Sequence, residues 1–246
     1  MKFGSKYRTK QDYSKYNKAH KEVWKKLYNR QVDNLIKNNM AVPEFWNGIG
    51  RLKISEDLPK IDDINNLLKE NDSVFTLVPV TGLIPDDIFF RMLREGEFPV
   101  TTWVRSLQSL DYIEEPDMFH DLFGHVPFLI NPIYCQYLQK IGEHAKDIFK
   151  YKKYKERQYE MSRLYWYTIE FGLLRQRKNE YKIYGSGILS SYKESIKALS
   201  EDSIKKPFTL NADLLSIRFE KNNLQDFYAF IDKNIKFLHK INIDLI

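Results

Sequence analysis

Two of the chain's five histidines, His120 and His125, fall within Glu115-Pro116-Asp117-Met118-Phe119-His120-Asp121-Leu122-Phe123-Gly124-His125-Val126-Pro127. Neutral imidazole is a common metal ligand, so two of them this close raise the question of a metal. Further along, Glu170 stands in Tyr165-Trp166-Tyr167-Thr168-Ile169-Glu170-Phe171-Gly172. A carboxylate between Ile169 and Phe171 is costly to bury without a cation. Two imidazoles and one carboxylate around a ferrous ion leave one net positive charge and half an octahedron open, as oxygen-activating iron sites require. A third histidine or a cysteine thiolate would favour zinc instead. The His-Glu-x-x-His pattern of zinc proteases is absent, because Asp121 follows His120 and the second histidine is one residue too far. A zinc hydrolase using His120, His125 and a carboxylate with a bound water stays open as a rival, as do two ordinary histidines near a helix end.

The spacing itself poses a problem. Residues four apart on an α-helix share a face, whereas five apart they are rotated by about 140°. The expected resolution is a helix over 116–123 that ends between the histidines. Gly124 is the type favoured just beyond a helix end, and Pro127 blocks continuation. His120 would then occupy the last turn, with His125 on the turn-out folding back toward it. The remaining histidines read as surface residues: His144 in mid-helix beside Glu143, and His20 and His239 in lysine-rich segments.

The elements around these residues read as mainly α with a few short β strands. Apolar side chains at helical spacing run through 12–38, with Pro43 past the end. A short helix is expected over 61–71, and a strand from Val74 to Val80. A helix should start at Pro85-Asp86-Asp87, with proline and acids in its first turn, and stop near Gly96. A second strand is expected over 99–104. Helices follow over 132–150 and 155–176, an extended or turn-like stretch over 182–188, then helices over 191–199 and 224–240. No repeat, low-complexity tract or Pro/Gly/Ser-rich linker divides the 246 residues, so one catalytic domain over 1–246 is expected.

Composition sets further bounds. The chain is 43% hydrophobic and 15% aromatic, enough for a packed core. No run approaches the ~18 apolar residues of a membrane span. No apolar stretch follows the first residues, so no secretory signal is expected. Cys135 is the single cysteine, which fits a reducing compartment, and the expected location is the cytoplasm. The net charge of +6 does not make a nucleic-acid or membrane binder, because lysines alternate with acids throughout. The densest basic run, Lys150 to Arg157, is interrupted by Tyr151, Tyr154 and Glu156. A basic helical binding module without catalysis is the blandest rival reading.

Taken together, three motifs resemble the pterin-dependent aromatic amino acid hydroxylases, and among them the short bacterial phenylalanine 4-monooxygenases. They are Glu-Pro-Asp-x-x-His-Asp-x-x-Gly-His-Val-Pro over 115–127, Tyr-Trp-Tyr-Thr-Ile-Glu-Phe-Gly over 165–172, and Tyr184-Gly185-Ser186-Gly187-Ile188-Leu189-Ser190-Ser191. The likeness runs from about Tyr13 to Ser200 and includes Trp24-x-x-Leu27-Tyr28-x-Arg30-Gln31 and Pro79-Val80-Thr81-Gly82-Leu83-Ile84. The resemblance implies iron(II), a tetrahydropterin and dioxygen, with hydroxylation of L-phenylalanine to L-tyrosine. It makes His120, His125 and Glu170 the iron ligands. It lays the pterin along Gly82, Leu83 and Ile84, stacked on Phe89, with Asp121 near its ring. Arg105 would grip the substrate carboxylate, since a guanidinium fork matches it. Trp166 would wall the ring pocket, with Gly187 and Ser190 at the amino-acid end. The same chemistry on L-tryptophan or L-tyrosine is the alternative.

The chain also departs from the family pattern. Ile113-Glu114 replaces the Thr-Pro of vertebrate members. The interval from His125 to Glu170 is a few residues longer, with the extra placed near Lys150–Arg157. The usual Phe-Gln-Pro-Leu-Tyr becomes Leu224-Gln225-Asp226-Phe227-Tyr228, and the preceding loop around Lys221 bears on substrate choice. Residues 201–246 read as divergent. A monomer without a regulatory domain is expected, dependent on a dehydratase and a reductase to recycle its pterin.

Overall fold

The computed structural model describes residues 4–111, 115–209, 215, 217–219, 223–232, 236 and 238. Ile113, Glu114, Lys221 and His239 lie outside them. The helical start comes in two parts. A 3₁₀ turn at Tyr13–Lys15 precedes α1, Lys18–Lys37. The break is set by Asn17, whose side chain accepts from the His20 amide while His20 Nδ1 accepts from the Asn17 amide. This reciprocal cap satisfies two amides at the helix start and gives His20 a structural task. Pro43 does more than follow α1. It opens α2, Pro43–Arg51, at the position where a missing N–H costs nothing.

Next come α3, Ile61–Glu70; β1, Thr76–Val80; α4, Asp86–Arg94; and β2, Glu97–Thr101. The two strands pair in parallel from Thr76↔Glu97 to Val80↔Thr101. β2 begins two residues before its expected start because Gly96, at φ +70°, turns the chain straight out of α4.

The histidine segment differs from expectation. Residues 118 and 119 are α-helical, and His120–His125 form a π-helical turn that passes into a 3₁₀ turn, Val126–Ile130. The helix therefore does not end at Gly124, which has no left-handed φ. Gly124 is small for a different reason: a Cβ there would lie 2.6 Å from the Ser186 carbonyl oxygen. Pro127 is accommodated in the first 3₁₀ turn.

Asn131 then caps α5, Pro132–Lys150, as expected. A 3₁₀ turn at Lys152–Tyr154 leads into α6, Lys155–Tyr165, followed by a second π turn, Trp166–Glu170. The helix expected to reach residue 176 stops here, and β3, Leu173–Arg177, pairs antiparallel with β4, Glu180–Ile183. A one-turn helix α7, Ser186–Leu189, precedes α8, Tyr192–Leu199. β5, Ile204–Pro207, and β6, Phe227–Asp232, complete a sheet of order β4-β3-β6-β5. The helix expected over 224–240 is thus a strand in its described first part. β6 pairs in parallel with β3 and β5, and its first five residues are buried. A central strand buried on both faces shows an unbroken apolar run rather than alternation, and periodicity cannot tell that from a buried helix.

One large apolar core joins most of these elements, with a smaller cluster of Val80, Ile84, Ile88 and Met92 beside it. Trp24 of α1 meets Phe119 edge-on at 5.3 Å, and Phe119 stacks on Phe123 at 4.8 Å, so the first histidine motif is seated directly on the core. No helix among the described residues is long and apolar enough to cross a membrane.

Candidate metal centre and substrate cleft

A π turn closes hydrogen bonds from residue i to i+5, so residues five apart become neighbours on one face. The Val126 amide bonds to the Asp121 carbonyl, and the Phe171 amide to the Trp166 carbonyl, each with this spacing. His120 and His125 consequently face each other, Nε2 to Nε2, at 3.1 Å. The second π turn ends on Glu170, which brings Oε1 to 3.0 Å from His125 Nε2 and Oε2 to 3.6 Å from His120 Nε2. All three ligand atoms lie within 4.8 Å of one another. Adjacent ligands with bonds of about 2.1 Å are separated by roughly 3.0–3.4 Å, so these donors fit one face of a single ion.

The surroundings fix the ring that needs fixing. Ser190 Oγ donates to the Ser186 carbonyl at 2.9 Å and lies 2.9 Å from His120 Nδ1. A hydroxyl has one proton, so Ser190 accepts here, which places the His120 proton on Nδ1 and leaves Nε2 free to ligate. Burial pushes the His120 pKa down to about 4, with Glu170 opposing and His125 adding to the fall. The ring is therefore neutral near pH 7. Burial alone would raise the Glu170 carboxyl, but His125 and His120 beside it outweigh that and hold it below its usual value.

The donors line a cleft of about 610 Å³. Gly82, Leu83, Ile84 and Phe89 line it, as does Asp121. Phe89 meets Tyr165 edge-on at 5.0 Å. Asp121 Oδ2 accepts from the Thr101 amide at 2.7 Å and the Thr101 hydroxyl at 2.8 Å. Burial nevertheless raises its carboxyl to about 7. Arg105, Trp166, Gly187 and Ser190 also line the cleft. Arg105 is buried, and Asp117 holds its Nε and Nη2, each at 2.8 Å, while the Leu110 carbonyl takes Nη1 at 3.3 Å. That leaves the outer Nη1/Nη2 edge of the fork for a ligand.

Every residue singled out from sequence thus lines the same cleft. Ser190 contacts His120 as well as lining the cleft. His144 is half-buried on α5 and does not line it. Sequence reading missed Tyr165, Phe171, Phe219, Glu194 and Gln225, which also line the cleft. Tyr165 and Phe171 flank motif residues and could have been marked by that. Gln225 could have been marked by its match to the Gln of Phe-Gln-Pro-Leu-Tyr, whereas nothing in the sequence alone ties Phe219 to the site.

The sequence matches the model of the family described as biopterin-dependent aromatic amino acid hydroxylase over residues 2–242. That reaches well beyond the 13–200 expected. A phenylalanine-4-hydroxylase of Chromobacterium violaceum is 41% identical over 229 residues, covering 90% of this chain and 72% of that protein. One of Caulobacter vibrioides is 37% identical over 236 residues, covering 95% and 76%. The C. violaceum enzyme crystallised with iron(III) and 7,8-dihydrobiopterin superposes with a TM-score of 0.89 at 36% identity, over 99% of this chain and 86% of that one.

Proposed function

Since the chain belongs to the biopterin-dependent aromatic amino acid hydroxylases, we propose that it converts L-phenylalanine to L-tyrosine with dioxygen, ferrous iron and a tetrahydropterin. The observation that carries this is the convergence of His120, His125 and Glu170 in a cleft that also presents Phe89, Arg105 and Trp166. The donor set suits iron(II): two imidazole nitrogens and one carboxylate, all lining the cleft, would hold the ion. When bound, iron and pterin together supply the activation of dioxygen that ring hydroxylation requires.

The chain's own residues bind, orient and exclude water. His120, His125 and Glu170 hold the metal. Gly82, Leu83 and Ile84 offer backbone groups along one edge of a pterin, and Phe89 an aromatic face. Asp121, fixed by Thr101, stands beside that site. Arg105, locked by Asp117, takes the substrate carboxylate on its free edge. Trp166 walls the aromatic ring, and Gly187 leaves room where a Cβ would meet Phe171 at 2.9 Å. The apolar walls keep bulk water from the reacting ring. The oxidised pterin needs a separate dehydratase and reductase to return to use. The lone buried Cys135 fits a reducing compartment, and the reading places the enzyme in the cytoplasm.

The test is product identification. Purified protein with ferrous salt, tetrahydropterin and L-phenylalanine should form L-tyrosine. Hydroxylation of L-tryptophan with none of L-phenylalanine would replace the substrate assignment.

A further inference from the structure

Trp166 is held by more than the core. Its indole stacks on Phe171 at 4.6 Å and on Phe219 at 4.2 Å, nearly parallel in the second case. Its Nε1–H donates to Gln225 Oε1 at 2.9 Å. The Gln225 backbone N–H in turn donates to Glu194 Oε1 at 3.0 Å, and the same oxygen accepts from the Tyr228 hydroxyl at 2.5 Å. Gln225 is 4% exposed and Glu194 5%. Glu194 has no ion-pair partner among the described residues, although all of these side chains except Tyr228 line the cleft.

A buried carboxylate with no cation in ion-pair contact is expensive unless hydrogen bonds compensate it. Two donors converge on it, one from the chain just before β6 and one from β6 itself. Glu194 thereby ties 225–228 to α8. α8 follows directly on Ser190, the partner of His120. The stretch 186–199 therefore references two things at once: a metal-ligating imidazole through Ser190, and the indole wall through Glu194 and Gln225. Their separation decides how far an aromatic ring sits from the metal.

We infer that Glu194 and Gln225 are positioning residues that fix the plane and depth of the Trp166 indole, and so set which aromatic side chain the cleft accepts. This rests on the hydroxylase reading for the identity of the substrates, but not for the positioning itself. It places part of the ring selectivity in the segment 224–228, at Gln225 and Tyr228, the two positions where the chain keeps the Gln and Tyr of the family's Phe-Gln-Pro-Leu-Tyr.

Three variants test it: Gln225→Met, which keeps bulk and removes the acceptor; Glu194→Ala; and Glu194→Gln, whose amide oxygen still accepts from both donors. The first readout is the Trp166 indole N–H resonance in the full chain without metal, assigned with Trp166→Phe. It should move upfield in Gln225→Met and Glu194→Ala and return in Glu194→Gln. The second is the ratio of kcat/KM for L-phenylalanine to that for L-tryptophan in the iron- and pterin-loaded enzyme. Loss of one such hydrogen bond should change it about five- to tenfold in Gln225→Met. An unmoved resonance and an unmoved ratio in Gln225→Met would overturn the inference. If Glu194→Ala fails to fold, Gln225→Met still decides. If wild-type protein forms no tyrosine, the hydroxylase reading falls while the resonance continues to judge the positioning.

Discussion

Ser190 reaches His120 across 70 positions of sequence, and its hydroxyl decides which imidazole nitrogen is free. Ser190→Ala removes that acceptor and lets the ring turn or change tautomer. Loss of such an outer partner weakens metal affinity by about 10–100-fold. Titrating metal-free protein with ferrous or cobaltous ion checks this. A second expectation concerns Arg105 and Asp117. Asp117→Asn leaves a buried guanidinium uncompensated, and breaking a buried pair in this way costs about 3–5 kcal/mol. Denaturant unfolding measures it. Burial would raise the Asp117 carboxyl, but its hydrogen bonds to Arg105 and the Arg105 charge outweigh that and hold it below 3.8. The pair's stabilisation is therefore complete above that value and fades as pH falls through the lower folded one, so Asp117→Asn should flatten the acid limb of the stability profile. At this scale the sequence was legible where chemistry shows in residue type: two histidines, an apolar-flanked glutamate, an arginine. Ser190 was legible as a site residue but not as the partner of His120, and Glu194 and Gln225 were not marked, because those roles depend on distant partners.

The wide turn is the element that makes the metal site. On an ordinary helix His120 and His125 diverge, and reading Gly124 and Pro127 as a stop was the natural way to bring them together. The turn instead widens without stopping, and the glycine is spent on closeness to Ser186. Propensity does not report a π turn, since its cause is packing against another element rather than local preference. Gly124→Ala separates the two explanations. A helix-end glycine with left-handed φ would give strain from the backbone conformation. Here the added methyl meets a backbone oxygen at 2.6 Å, which only movement of α7 can relieve. Overpacking of this kind costs about 1–3 kcal/mol. Because α7 carries Ser190 at its end, the variant should lose metal affinity along with stability, and a crystal structure should show α7 displaced with φ of residue 124 still negative. The strand β6 was misread as helix for a related reason: its apolar run lacks alternation, and only pairing with β3 and β5 identifies it, just as β3 is identified by pairing with β4 and β6.

At the scale of the molecule, α1 was legible from apolar side chains at helical spacing and α4 from the proline and acids at its start, and the cleft was legible from its motifs. How the C-terminal chain returns to complete the sheet was not, because that depends on strand pairing between residues more than fifty apart. The resulting architecture gives a prediction about folding and metal together. The three donors come from two π turns about 45 residues apart in sequence, joined only by the folded core, so the unfolded chain offers no comparable site. An ion that binds only the folded state stabilises it by mass action, about 2.7 kcal/mol at a hundredfold excess over its dissociation constant. For a chain of this size each kcal/mol corresponds to about 2–4 °C in Tm, so anaerobic ferrous ion at that excess should raise Tm by roughly 5–11 °C. His120→Ala and Glu170→Ala should each abolish most of the rise, read against each variant's own metal-free Tm. A rise that persists in both variants would mean that the ion stabilises the protein from somewhere other than the paired π turns.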